Sequence, residues 1–205
     1  MKLDKEQSLH SIELRQVDNT EGKMILEGYP VAFNKETVIR MPNRKPFIEI
    51  IDPHAFDEAD MSDVCLRYNH SEGFTILART RNGSLTLTPD NEGLFMHAEL
   101  IDTTTNIDIY KMAKAELLTE GSFAFTVAEH EVTRGAEMDV RRIKKIGKLF
   151  DVSICDNGAY GDNTKIYARS VEALERALLQ ADAEEAARIK VMRMRNKNII
   201  NLLRR

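Results

Sequence analysis

The sequence predicts an α+β domain, with an antiparallel barrel-like β-sheet core, helices packed around it and a further helix at the C-terminus. Many short runs in which apolar and polar residues alternate predict strands, because successive side chains of a strand point to opposite faces. Clusters of Gly, Pro, Asn and Asp separate these runs. At 205 residues, with 42% hydrophobic and 30% charged residues, the chain is long enough for one substantial core.

The predicted strands follow from alternation and from the turn residues between them. In chain order they cover residues 24–33, 47–51, 64–68, 75–80, 84–88, 94–101, 140–146 and 148–154. Asn82-Gly83 lies between two alternating runs and predicts a tight hairpin, since a type I′ turn needs positive φ at both positions. Thr103 and the polar residues after it can cap a helix that runs to Leu118, and another strand begins near Ser122.

Composition divides the chain into three segments. Residues 1–20 are polar, residues 21–169 form the main domain, and residues 170–205 form a predicted helix with Ser170 as its N-cap. No acidic residue follows Glu185, so the C-terminal segment is basic and partly amphipathic. Such a block is usually a solvated helix face, but it also fits a segment that docks on an acidic scaffold or on RNA.

Charge and composition exclude several classes of function. The net charge is −4 and the pI about 5.8, so the chain as a whole has no basic footprint, and a nucleic-acid partner is not expected. No apolar run is long enough to span a membrane, and the N-terminus lacks an apolar signal core, so we expect a protein made and used inside a cell. Cys65 and Cys155 are expected to be buried thiols. The five histidines show no ligand-type spacing, so neither a metal nor a cofactor is expected.

Two polar residues beside strand-like runs could together supply a base and a nucleophile. His70 follows the run that ends at Tyr68, and Ser122 opens a run in which Phe123 and Phe125 alternate with it. In a strand the aromatic pair would enter the core while the serine points to a cleft. Each residue alone also fits an ordinary role, His70 as a surface residue and Ser122 as a turn hydroxyl.

A carboxylate on the last predicted strand is a third candidate. Phe150, Val152 and Ile154 share one face of this strand, whereas Asp151 and Ser153 share the other. A carboxylate in such a place is more often a solvated edge residue than a catalytic one.

Seven segments in a fixed order resemble a known family. They are 27–34 (EGYPVAFN), 51–56 (IDPHAF), 68–70 (YNH), 76–80 (ILART), 92–94 (EGL), 121–125 (GSFAF) and 149–153 (LFDVS). Over residues 28–169 the chain resembles the tailed-bacteriophage prohead proteases, capsid-maturation serine proteases whose fold is similar to that of herpesvirus assemblin. The resemblance implies a serine protease domain at residues 21–169.

The resemblance also implies roles for the candidate residues. His70 would be the general base, Ser122 the nucleophile and Asp151 the carboxylate that orients the histidine. The family usually has Glu where this chain has Asp151, so the backbones must sit closer for the shorter side chain to reach. Assemblin uses a second histidine, which makes His97 or Glu99 the reserve third member.

The resemblance leaves the oxyanion donor open and suggests the substrate. A backbone N–H near Gly121 or Phe123, or a side chain such as Arg79, would serve as donor. The substrates would be the scaffolding part of the major capsid protein and the protease itself, cleaved in the host cytoplasm inside the assembling prohead. Self-association is expected. The segment 170–205 would be a propeptide or a scaffold-docking helix that targets the protease to the shell or restrains it until self-cleavage.

Two other functions fit the sequence. A non-catalytic capsid assembly or scaffolding protein could use the same barrel, and it predicts that His70 and Ser122 lie far apart. An intracellular hydrolase such as an esterase would use the same residue types, but the chain has no Gly-x-Ser-x-Gly elbow.

Overall fold

The computed structural model describes residues 5–11, 15–16, 22–39, 45–71, 73, 76–156, 183, 187–190 and 192. Within these residues the chain forms eleven strands and the α-helix α1 (Thr104–Lys114), and the backbone is also helical at 183, 187–190 and 192. The strands are β1 (Lys5–Ser11), β2 (Arg15–Gln16), β3 (Met24–Ala32), β4 (Thr37–Ile39), β5 (Phe47–Ile51), β6 (Cys65–Tyr68), β7 (Ala78–Arg79), β8 (Leu85–Pro89), β9 (Gly93–Leu100), β10 (Glu120–Thr133) and β11 (Val140–Cys155). No helix in this part of the chain is long and apolar enough to cross a membrane.

The strands form two sheets rather than the predicted barrel. The larger sheet has seven strands in the order β1-β10-β11-β5-β4, with β6 pairing with β11 and β7. The smaller sheet has the order β2-β3-β9-β8. Most pairs are antiparallel, but β11 pairs in parallel with both β5 and β6. The edge strands β1 and β4 do not pair with each other, so the larger sheet stays open. The described residues are therefore mostly β, and the α+β description holds only loosely.

Strand β11 organises the larger sheet. One edge pairs antiparallel with β10, while the other pairs first with β5 and then with β6. The sequence predicts two strands separated at Gly147, but the structure has one continuous strand. Gly147 lies in the part of β11 between the residues that pair with β5 and those that pair with β6. Its carbonyl accepts the Asp60 N–H at 2.9 Å, which keeps this part of the strand bonded at its edge.

Side chains from both sheets share one apolar core. Phe123 and Phe125 are buried in it, as alternation predicts, with ring centroids 4.6 Å apart. Phe56 packs against Phe123 at 6.5 Å and against Phe33 at 5.9 Å. The opposite face of β10 and β11 is also buried, with exposures of 0–2% at Ser122, Ala124, Asp151 and Ser153.

Helix α1 begins where the sequence predicts and ends earlier. Thr103 is the N-cap, and its hydroxyl accepts the Asn106 N–H at 3.2 Å. The predicted end is Leu118, but the helix stops at Lys114 because Glu116 adopts a positive φ of 56°. The chain then buries Leu118 in the core and enters β10, which brings Ser122 to the start of that strand.

The predicted hairpin at Asn82-Gly83 is wrong. Only Gly83 has a positive φ, of 77°, and Thr80–Asn82 form a short 3₁₀ turn. The Asn82 side chain accepts the Ser84 N–H at 3.2 Å and the Ser84 hydroxyl at 2.7 Å, which stabilises this turn instead of a type I′ turn. As a result β7 pairs with β6, and β8 pairs with β9.

The structure describes strands in the N-terminal segment but little of the C-terminal segment. The segment predicted only as polar contains β1, which pairs antiparallel with β10, and β2, which pairs with β3. The predicted helix at 170–205 lies almost wholly outside the described residues, although the backbone is helical at 183, 187–190 and 192. Its docking or propeptide role stays a prediction.

Gly93, at the start of β9, has no room for a side chain. A Cβ there would lie 2.0 Å from the Val31 carbonyl oxygen. We expect Gly93→Ala to lower the free energy of unfolding by about 1–3 kcal/mol, because β3 and β9 would have to separate. In the control Gly73→Ala, the nearest atom to the new Cβ is Ser71 Oγ at 3.5 Å, so the change should stay within about 0.5 kcal/mol. Urea denaturation measures both, and equal effects would contradict the prediction.

Candidate active site

Three neighbouring strands position the candidate catalytic residues. Ser122 lies on β10 and Asp151 on β11, whereas His70 follows the end of β6. Ser122 pairs in register with Ser153, and Asp151 pairs with Cys65. Because β11 has β10 on one edge and β6 on the other, residues far apart in the chain meet on one face of the sheet.

The three side chains form a continuous chain of hydrogen bonds. His70 Nε2 lies 2.6 Å from Ser122 Oγ, and His70 Nδ1 lies 2.5 Å from Asp151 Oδ1. Asp151 therefore reaches the imidazole although its side chain is one methylene shorter than that of Glu. A carboxylate at Nδ1 favours the tautomer with its proton on Nδ1, which leaves Nε2 free to accept the serine hydroxyl. The geometry fits a nucleophile, a base and an orienting carboxylate.

The chain of contacts is largely buried. Ser122 has 0% exposure, and the side chains of His70 and Asp151 are 9% and 3% exposed. Ser122 lies on the face opposite Phe123, as alternation predicts, but this face is buried and does not open into the expected cleft. A peptide carbonyl can therefore reach Ser122 Oγ only after the covering groups move.

A strained turn presents His70 to β10 and β11. Asn69 and His70 have positive φ values of 49° and 51°, a conformation that Asn and His tolerate better than most residues. The Asp156 carboxylate accepts the Tyr68 hydroxyl at 2.7 Å and Asn69 Nδ2 at 2.9 Å. Burial and the bond to Asp156 raise the pKa of Tyr68 to about 12, so the phenol stays a donor. Asp156 thus holds the turn that carries the histidine.

Ser153 and Asp156 have no role assigned from the sequence. The Ser153 hydroxyl donates to Asp151 Oδ1 at 3.1 Å and accepts the His70 N–H at 3.1 Å. A sequence signal for Ser153 does exist, because it lies two residues after Asp151 on the same strand face. Asp156 has no comparable signal, since it follows the end of β11 and bonds to a turn far away in the chain.

The reserve candidates His97 and Glu99 lie on β9 of the smaller sheet. His97 Nδ1 is 2.7 Å from Glu27 Oε1, across the β3–β9 pair. Glu99 Oε1 is 3.4 Å from Lys23 Nζ. The structure therefore places both residues with partners of their own, whereas Asp151 is the carboxylate that contacts His70.

The candidate oxyanion donors are also engaged. Arg79 on β7 bonds to Asp63 at 2.5 Å and 2.7 Å through two guanidinium nitrogens, and it lowers the pKa of that carboxyl. Gly121 and Phe123 belong to the segment 120–126 of β10, which pairs with β1 on one edge and with β11 on the other. Backbone N–H groups in such a segment point at ladder partners. A backbone donor beside Ser122 becomes available when one of these pairings opens.

A thiol nucleophile does not compete with Ser122. Cys155, the last residue of β11, is free and buried, and burial raises the pKa of its thiol to about 12. The thiol therefore stays protonated, and a thiol is a far weaker nucleophile than a thiolate. Cys65 is likewise free and buried. Among the residues that the structure describes, no group of three or more His, Cys, Asp or Glu side chains could hold a metal ion.

Comparison with known proteins identifies the family. A family model described as caudovirus prohead serine protease matches residues 10–177. The chain belongs to this family. The match spans β2 to β11 and so includes His70, Ser122 and Asp151. Membership in a family of prohead serine proteases supports peptidase activity and a role in phage capsid maturation. Comparisons with curated proteins and with solved structures found no match.

Proposed function

We propose that this member of the prohead protease family is a serine endopeptidase with Ser122 as nucleophile, His70 as general base and Asp151 as orienting carboxylate. The observation that carries the proposal is the unbroken chain of contacts, 2.5 Å from Asp151 to His70 and 2.6 Å from His70 to Ser122. A serine hydroxyl is a poor nucleophile without such a base. Family membership supports the same chemistry.

In the proposed mechanism, His70 carries a proton from the nucleophile to the leaving group. Ser122 Oγ attacks the carbonyl carbon of the peptide while His70 Nε2 takes its proton, and Asp151 stabilises the imidazolium at Nδ1. The tetrahedral intermediate collapses as the imidazolium returns that proton to the leaving amine, which leaves an acyl-enzyme. A water molecule then attacks with His70 again as base and releases the acid product.

The substrates in this proposal are the scaffolding part of the major capsid protein and the protease itself. Cleavage takes place in the host cell, inside the assembling prohead, where a family of this description acts on capsid maturation. In this proposal the fully buried Ser122 represents a closed resting state, which would keep the protease from cleaving capsid protein before the shell has assembled.

The two alternatives have less support. A non-catalytic assembly protein predicts that His70 and Ser122 lie far apart, and their contact at 2.6 Å does not agree with this. An esterase would use the same chain of contacts, but the family match favours hydrolysis of a peptide bond.

Substrate access in the proposal depends on β1. This strand fills the outer edge of β10 along the segment that contains Ser122, with Leu9 opposite Ser122 in register. Extended peptides commonly bind to a sheet by adding to an exposed edge, and here β1 occupies that edge. Departure of β1 would open the edge to a substrate strand and would free, as candidate oxyanion donors, those backbone N–H groups of residues 120–126 that point towards β1.

Single and double substitutions test the nucleophile and the base. We expect Ser122→Ala and His70→Ala each to lower kcat for cleavage of the capsid scaffolding segment by on the order of 10³-fold or more. The double variant should be barely worse than either single one, because both residues serve one proton-transfer step. Circular dichroism checks that each variant folds. Additive losses would show that the two residues do not cooperate, and full activity of Ser122→Ala would overturn the assignment.

The orienting carboxylate has its own test. Asp151→Asn should slow cleavage by roughly 10²- to 10⁴-fold, because the amide favours the wrong histidine tautomer. His97→Ala is the control, since His97 bonds to Glu27 on the other sheet. Steady-state kinetics on both variants separate the two candidates. A loss in His97→Ala with normal Asp151→Asn would make His97 the third member.

Proline substitutions at two adjacent positions of β1 test whether this strand limits the access of substrate to Ser122. The backbone N–H groups of adjacent strand residues point to opposite edges, so one of Ser8 and Leu9 donates towards β10 and the other away from it. Because proline lacks this donor, we expect one of Ser8→Pro and Leu9→Pro to raise kcat/KM for a short peptide several-fold, with the other as its matched control. Hydrogen exchange at residues 120–126 reports the weakened pairing. If pairing weakens and kcat/KM does not rise, β1 does not limit access.

A further inference from the structure

Ser153 contacts both members of the histidine–carboxylate pair. Its hydroxyl donates to Asp151 Oδ1 at 3.1 Å, accepts the His70 backbone N–H at 3.1 Å and lies 3.2 Å from His70 Nδ1. A hydroxyl has one proton and two lone pairs, so donation to the carboxylate leaves both lone pairs for the two N–H groups of His70. Ser153 is only 1% exposed, which shields these bonds from competing solvent.

Asp151 and His70 are each stabilised by their hydrogen bond to Ser153. Asp151 is 2% exposed, and burying a carboxylate is unfavourable unless hydrogen bonds replace its water. His70 has a positive φ of 51°, which persists in a residue other than glycine only when its surroundings hold it. The Ser153 hydroxyl is a single group that bonds to the buried carboxylate and to the strained backbone.

We propose that Ser153 is a positioning residue for the hydrolytic reaction. It holds the Asp151 carboxylate against Nδ1 and holds the His70 main chain where Nε2 meets Ser122, so that the imidazole is oriented as a base before substrate arrives. Ser153 acts through Asp151 and His70 and does not touch the reacting atoms. The inference rests on the proposed function, in which His70 is the general base.

Ser153→Ala removes these bonds without adding atoms. We expect kcat for a peptide substrate to fall about 10- to 100-fold, with KM nearly unchanged because positioning serves the chemical step. The far-downfield proton NMR resonance of His70 Nδ1–H should shift or disappear. Ser71→Ala is the matched control, since Ser71 adjoins His70, is exposed and bonds through its backbone to Tyr68 and Arg67. It should keep both kcat and the resonance.

Two further variants keep the test decisive. Ser153→Thr retains the hydroxyl and should retain the resonance and most of the activity. If Ser153→Ala does not fold, Ser153→Cys keeps the shape of the side chain with a somewhat larger atom and substitutes a weak donor, and it should lose activity as Ser153→Ala would. Parental kcat and an unchanged resonance in a folded Ala or Cys variant would overturn the inference.

Failure of the inference can be told from failure of the proposed function. An inactive Ser122→Ala beside a fully active Ser153→Ala would overturn the role of Ser153 and leave the catalytic assignment intact. A fully active Ser122→Ala would overturn the catalytic assignment, and with it the role of Ser153 in the reaction.

Discussion

The register of β11 between β10 and β6 is the constraint on which the site depends. Because side chains alternate along a strand, a slip of one residue would turn Asp151 and Ser153 towards the core and bring Val152 and Ile154 to the opposite face. Both apolar residues are 0% exposed, and the slip would move the Asp151 carboxylate from its hydrogen bonds into apolar surroundings, which is strongly unfavourable. The apolar residues that build the core therefore also fix the place of the polar ones.

The reach of His70 depends on the turn that follows β6. Asp151 lies opposite Cys65, and at about 3.3 Å per residue an extended continuation would carry His70 about 16 Å along the strand from that point. Positive φ at two successive residues bends the chain back over the sheet instead. Such strain costs on the order of 1–3 kcal/mol per residue. The bonds from Asp156 to Asn69, from Asn69 N–H to the Ile154 carbonyl at 3.0 Å, and from His70 N–H to Ser153 offset it.

The alternation of apolar and polar residues predicted those strands that bury one face in the core. Residues 47–51 are β5 as predicted, and the run from Met24 became β3, because alternation reports which side chains face a core. Pairing is not encoded in this way. β1 is polar and forms a strand because it pairs with the edge of β10. At Asn82-Gly83 the hydrogen bonds of the Asn82 side chain to Ser84 stabilise a different turn from the one that the sequence predicts. Closure of the barrel likewise depends on which strands pair, which alternation does not report.

The faces of Ser122 and Asp151 were predictable from the strand period, but the burial of those faces was not, since it depends on what packs against them. That burial strengthens the contacts within the site, because hydrogen bonds and charges interact more strongly away from water. The same burial would have to be relieved before a peptide could reach Ser122 in the proposed reaction. His70 and Asp151 are held by the β6 turn and by β11, whereas the open edge of the sheet carries β1. In the proposed mechanism, an opening motion confined to that edge is the one that would admit a peptide while the oriented base stays in place.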